Sequence, residues 1–178
     1  MGRPALNQSR SSFFYATQTQ SPAGYSNWKI CRFDTASGSS TDIQTNLYFI
    51  EQPLYQDDPQ PVAIVDSTGT DTAFVFAGRS PFNQTKMLYL AQIGGVNPYT
   101  RQISDSSNAK FPIYYPVKTR PIQIVYTSDL PSQVYLRNAS NQIIQLTSNV
   151  SNSSYPVFDP TGSLIAYAGN GIWVMKAD

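Results

Sequence analysis

The chain has 178 residues and a formal net charge of +1, enough length for one well-cored domain or one repetitive one. Charged residues make up only 13% of it and form no basic cluster, which argues against an electrostatic nucleic-acid surface. With no histidine and a single cysteine, Cys31, Ser-His-Asp and Cys-His catalysis, histidine zinc sites and a disulfide framework are excluded.

Tyr occurs 12 times and Phe 9 times, whereas Glu51 is the sole glutamate, a balance that favours half-buried pleated surfaces over helices. The 13 prolines and 10 glycines recur between short apolar runs, as turns do. The expected fold is all-β. No apolar run approaches the roughly 18 residues of a membrane span, so membrane insertion is not expected. The opening Met1-Gly2-Arg3-Pro4 does not read as a signal peptide, since no apolar stretch follows it.

In chain order, the first unit begins at Pro4-Ala-Leu-Asn-Gln-Ser-Arg-Ser-Ser-Phe-Phe-Tyr15, a short strand, a turn and a return strand. Ile30-Cys-Arg-Phe33 supplies a third strand and Asp42-Ile-Gln-Thr45 a fourth. The second unit turns at Asp66-Ser-Thr-Gly69, returns through Thr72-Ala-Phe74, and continues with Leu88-Tyr-Leu90 and Arg101-Gln-Ile-Ser104. The third runs from Pro112-Ile-Tyr-Tyr-Pro116 to Ile124-Val-Tyr126, Val134-Tyr-Leu136 and Ile144-Gln-Leu-Thr147.

The last unit is the clearest: Tyr155-Pro-Val-Phe-Asp-Pro-Thr-Gly-Ser-Leu-Ile-Ala-Tyr167, which aligns with the first unit without a gap. Its Asp159-Pro160-Thr161-Gly162 is a turn: Asp bonds the backbone ahead, Pro presets φ, and Gly closes it. Asn170-Gly171 then marks a hairpin into the strand 172–175. A further strand would have to follow Asp178, so this unit is expected to lack its outer strand. The aromatic anchors Tyr15, Phe74, Tyr126 and Tyr167 lie 59, 52 and 41 residues apart, with the extra length in loops.

Four short strands per unit of roughly 40 to 45 residues is the pattern of propeller blades. Units 4–46, 47–105, 110–148 and 154–178 would form one domain over 1–178. The segments Tyr155-Pro-Val-Phe-Asp-Pro-Thr-Gly, Leu164-Ile-Ala-Tyr167, Ile172-Trp-Val-Met175 and Gln145-Leu-Thr147 resemble the repeat of TolB-type propellers. Phe158 and Tyr114 stand where that family has Trp, and the turn reads Asp-Pro-Thr-Gly rather than Pro-Asp-Gly. The resemblance implies a β-propeller of about four TolB-like blades; either the fourth blade is open, or the chain belongs to a larger ring completed by another copy or a partner chain. It implies no peptidase activity, since no hydrolase domain accompanies the repeats.

Candidate binding residues cluster in predicted loops. The loop 46–60 carries Tyr48, Phe49, Glu51, Tyr55, Asp57 and Asp58, large aromatics beside acids of the kind recognition surfaces use. Tyr25 and Phe82 sit in the loops 17–27 and 77–86. The lone carboxylates of Asp66 and Asp159 fit turn-making better than metal binding, and no metal or cofactor is expected. Cys31 falls at a strand centre, at the place of Tyr89, Tyr135 and Trp173, and reads as a buried inert thiol.

Five Asn-x-Ser/Thr sequons occur, of which Asn83, Asn138, Asn149 and Asn152 are candidate glycosylation sites and Asn7 is the fifth. With the shortage of Lys and Glu they favour an extracytoplasmic location. The expected function is a non-enzymatic protein-interaction scaffold that binds through inter-strand loops, with a protein partner or second copy completing it. A carbohydrate or small-ligand module is the alternative, and a propeller glycosidase or lyase a third reading.

Overall fold

Strands dominate the described residues between Ala5 and Lys176. The computed structural model describes residues 5–6, 12–17, 20–21, 24–25, 29–43, 61–65, 71–79, 85–93, 100–105, 108–114, 123–148 and 151–177. Its strands are β1 (Ala5–Leu6), β2 (Ser12–Thr17), β3 (Gln20–Ser21), β4 (Gly24–Tyr25), β5 (Lys29–Asp34) and β6 (Ser39–Asp42). They continue as β7 (Val62–Val65), β8 (Asp71–Arg79), β9 (Lys86–Gln92), β10 (Thr100–Gln102), β11 (Lys110–Tyr114) and β12 (Ile124–Ser128). The last are β13 (Gln133–Arg137), β14 (Ile143–Gln145), β15 (Ser154–Phe158), β16 (Leu164–Ala168) and β17 (Ile172–Lys176). The described residues contain no helix.

These strands form four antiparallel meanders: β1-β2-β5-β6, β7-β8-β9-β10, β11-β12-β13-β14 and the three-stranded β15-β16-β17. A two-residue ladder, β3 with β4, falls within the predicted loop 17–27. The sheets stack in chain order: β7 rests on β1 and β2, β11 on β7, β8 and β9, and β15 on β11, β12 and β13.

Side chains on successive strand residues point to opposite faces, so an inner sheet needs apolar residues at consecutive positions. Along β8, Ala73, Val75 and Ala77 pack with Ile124, Tyr126 and Tyr135 of the third sheet, whereas Phe74 and Phe76 pack with Phe14 and Ile30 of the first. In the third sheet Tyr126 faces back to the second, while Val125 and Val134 join Ile165 of the fourth. Each interface is thereby a separate apolar layer.

Turn chemistry sets the registers. The Asp159 carboxylate accepts from the Leu164 amide at 2.8 Å and from the Thr161 hydroxyl at 2.5 Å, and Gly162 closes the turn at φ 70°. Between β5 and β6, Asp34 Oδ1 accepts from the Ala36 and Ser37 amides, and Gly38 sits at φ 66°. That tight turn starts the fourth strand of the first sheet at Ser39, three residues before the expected Asp42.

The second sheet also departs from expectation. Tyr15 pairs with Cys31, Tyr126 with Tyr135 and Tyr167 with Trp173, but the residue opposite Tyr89 is Phe76, not Phe74. The reason is a longer hairpin. Pairing between β7 and β8 continues past Ala63–Phe74 to Ile64–Ala73 and Val65–Asp71, whereas in the fourth sheet it stops at Phe158–Ile165. A shift of two residues keeps every side chain on its face, so the sheet tolerates it.

Candidate interaction surfaces

The two inner sheets are buried on both faces, and the two end sheets are not. On the fourth sheet Ile165, Tyr167 and Met175 pack toward the third. The register puts Val157, Leu164, Ala166, Ile172 and Val174 on the opposite face. Of these, Val157, Leu164, Ile172 and Val174 are exposed, Ile172 by 86%. A contiguous aliphatic face of this kind marks an interaction surface more often than a solvent surface.

The first sheet presents a different chemistry. Phe14, Ala16 and Ile30 are buried, Phe14 and Ile30 within the layer shared with the second sheet, whereas Phe13, Tyr15 and Phe33 lie half-buried on the outer face. Phe13 stacks on Phe33 with ring centroids 4.9 Å apart, and the Tyr15 hydroxyl hydrogen-bonds the Ser40 hydroxyl at 2.6 Å. Cys31 shares this face; it is buried, and its Sγ donates to Asp42 Oδ1 at 3.2 Å.

The inner sheets repeat one cross-strand pair on the face that looks back along the chain. Phe76 stacks on Tyr89 at 5.7 Å and Tyr126 on Tyr135 at 5.7 Å. The Tyr135 hydroxyl also donates to Asp129 Oδ2. Burial, reinforced by the neighbouring Asp129 carboxylate, pushes the Tyr135 phenol up to about 12. Burial also raises the phenols of Tyr89 and Tyr114.

Phe111 and Tyr155 each precede a proline, and each adopts positive φ, 53° and 55°. Their rings lie 4.3 Å apart, with Lys110 Nζ 5.6 Å from the Phe111 ring centroid. Left-handed backbone before proline is strained for an aromatic residue, and the ring contact joins the first strands of the third and fourth sheets.

Of the sequence candidates, Tyr25 lies in β4, where only the backbone is described. Tyr48, Phe49, Glu51, Tyr55, Asp57, Asp58, Phe82, Asn7, Asn83 and Asn149 lie outside the described residues, as does Asp66. Asp159 and Asp34 spend their carboxylates on turns. Hydrogen bonds hold both below the usual carboxylate range, from the Thr161 hydroxyl foremost for Asp159 and from the Ser37 amide foremost for Asp34.

Asn138 and Asn152, read from the sequence as glycosylation sites, have structural duties. Asn138 Oδ1 accepts from the Ser140 and Gln142 amides, closing the turn between β13 and β14 as Asp34 closes that between β5 and β6. Asn152 Oδ1 accepts from the Ser132 amide at 2.8 Å, and the Ser153 amide donates to Ser132 O at 2.6 Å, tying the approach to the fourth sheet onto the third. The exposed aliphatic face is the surface that sequence reading missed; the alternation along 164–168 and 172–176 was its signal.

Comparison with protein-family models and with curated proteins finds no match.

Proposed function

We propose that the chain is a non-enzymatic interaction scaffold whose four sheets are TolB-like propeller blades, and that it associates with a second copy of itself through its two end faces. The observation that carries this reading is a polarity common to all the sheets. Toward the following sheet each presents an aliphatic or small residue at one third-strand position: Ile30, Leu88, Val134 and Ile172. Toward the preceding sheet the second, third and fourth present paired aromatics, Phe76 with Tyr89, Tyr126 with Tyr135 and Tyr167 with Trp173.

The outer faces carry the two unmatched halves of this pattern. The first sheet offers Phe13, Tyr15 and Phe33, and the fourth offers Val157, Leu164, Ile172 and Val174. Aliphatic against aromatic is the match already made between the second and third sheets, and Ile30 makes it beside the Phe14–Phe74 stack between the first and second, so a head-to-tail neighbour continues it. Burying these side chains would gain about 25 cal/mol per Å² of apolar surface covered.

Light scattering on the purified chain at micromolar concentration tests the reading. The expected particle mass is a multiple of 19.7 kDa. A stable particle of one chain would overturn the proposed self-association.

A further inference from the structure

The outer edge of β17 carries a second kind of information, in the backbone. In the second sheet the Ile103 amide donates to Leu88 O at 2.9 Å, and the Leu88 amide donates to Ser104 Oγ at 2.9 Å. In the third, the Leu146 amide donates to Val134 O at 2.8 Å, and the Val134 amide donates to Thr147 Oγ1 at 2.9 Å. The preceding glutamine also recurs: Gln102 Nε2 donates to Ser104 O at 2.8 Å and Gln145 Nε2 to Thr147 O at 2.7 Å. In the first sheet the Ile43 amide donates to Ile30 O at 3.0 Å, the same ladder step.

In the second and third sheets the short fourth strand is therefore clamped by one three-residue element. Glutamine lies opposite the aromatic of the third strand (Tyr89 or Tyr135), Ile or Leu enters the apolar layer, and a Ser or Thr hydroxyl replaces a backbone acceptor. By the same register Ile172 corresponds to Leu88 and Val134, and Trp173 to Tyr89 and Tyr135. The Ala177 amide turns inward to Ser163 O, which directs the amides of Ile172, Val174 and Lys176 to the outer edge. No described strand pairs there, and Ile172, Trp173 and Val174 are exposed.

We infer that the β17 edge is a docking site for an extended segment of another polypeptide that carries Gln-(Ile or Leu)-(Ser or Thr) and adds antiparallel as a fourth strand. The incoming Ile or Leu amide donates to Ile172 O, the hydroxyl after it accepts from the Ile172 amide, and the glutamine covers Trp173. Backbone pairing supplies affinity and the three side chains supply selectivity, the physics of strand addition to a sheet edge. This deepens the scaffold reading, and it concerns the edge of the fourth sheet rather than its face.

The probe is the synthetic peptide Ile-Ile-Gln-Leu-Thr-Ser, the sequence of residues 143–148, added to the full chain. Binding is expected to shift Trp173 emission to the blue, an effect lost in Trp173→Phe, and to slow amide exchange at Ile172, Val174 and Lys176. A peptide with Val for Thr lacks the hydroxyl acceptor and should bind about fivefold more weakly, the value of one ordinary hydrogen bond. Asp for Leu should abolish binding. Ile172→Pro removes the amide at an edge position where proline is tolerated, and should abolish it too.

Equal binding of the Thr and Val peptides, protection that maps to residues other than 172–176, or no binding at millimolar peptide would each overturn the inference. None of these outcomes alters the particle mass measured without peptide, so failure here is separable from failure of self-association.

Discussion

Val134 and Ile172 hold the same place on the third strands of consecutive sheets, yet Val134 is 0% exposed and Ile172 is 86% exposed. The difference is what lies beyond each: Val134 is covered by Ile165 and its neighbours in the fourth sheet. Val134→Ala should lower the unfolding free energy by about 2 kcal/mol, the transfer loss plus a small cavity. Ile172→Ala, measured on the dissociated chain, should change it by less than about 0.5 kcal/mol. Urea unfolding of both variants checks this; equal losses would mean that Ile172 is covered.

The turn between β15 and β16 should respond to both backbone and pH. Gly162 sits at φ 70°, so Gly162→Ala should cost about 1–2 kcal/mol, the penalty of a Cβ in left-handed backbone. Asp159 and Asp34 have folded values below the ordinary 3.8. A lowered carboxylate stabilises the fold fully above its unfolded value and loses that contribution as pH falls through the folded one. Stability should therefore decline below about pH 4. Asp159→Asn should flatten that acid limb while keeping the turn's oxygen acceptor; an unchanged limb would show that Asp159 contributes nothing to it.

At the alkaline end Tyr135 governs. Its phenol is pushed from 10.0 to about 12, so the folded state holds the neutral form and its contribution is complete below pH 10. Between pH 10 and about 12 that contribution is lost, because the unfolded chain ionises first. Tyr135→Phe cannot ionise, and its unfolding midpoint should fall less steeply than that of the parent chain over this interval. Tyr89 and Tyr114, also raised by burial, leave a residual slope in the variant. Superimposable profiles would place Tyr135 in water.

Strand positions were legible wherever turn chemistry bracketed an apolar triad. Asp159 to Gly162 fixes β15 and β16 because those residues permit little besides a turn. The anchor of the second sheet was misplaced because Phe74 and Phe76 are the same residue type two positions apart, and lengthening a hairpin by two residues preserves both faces. Pro61 would have resolved it. Pro61, Pro112 and Pro156 are all buried, and the residues after them, Val62, Ile113 and Val157, pair with Val75, Val125 and Ala166. Asn138 reads as a sequon because its tripeptide is one; only the register reveals it as the counterpart of Asp34. The end faces were legible only in part, since alternation along 164–168 and 172–176 says which residues share a face and not whether anything covers it.

Head-to-tail association makes a demand that a self-complementary dimer does not. The aliphatic face of one copy must meet the aromatic face of another, so the two surfaces are different and each can be blocked separately. Val174→Asp places a carboxylate on the aliphatic face, and Phe33→Asp places one on the aromatic face. Burying an unpaired carboxylate in an apolar contact costs several kcal/mol, enough to abolish micromolar association, on the order of 8 kcal/mol. Each variant keeps one good surface, but copies of the same variant always present a blocked partner, so each alone should run as a 19.7 kDa particle. Mixed in equal amounts, the unblocked face of the first meets the unblocked face of the second, and one heterodimer of twice that mass should form. Circular dichroism of each variant confirms that its strands persist before mixing. If Val174→Asp alone associates as the parent does, the aliphatic face is not the contact. If the mixture stays monomeric while both variants remain folded, the faces do not meet head to tail.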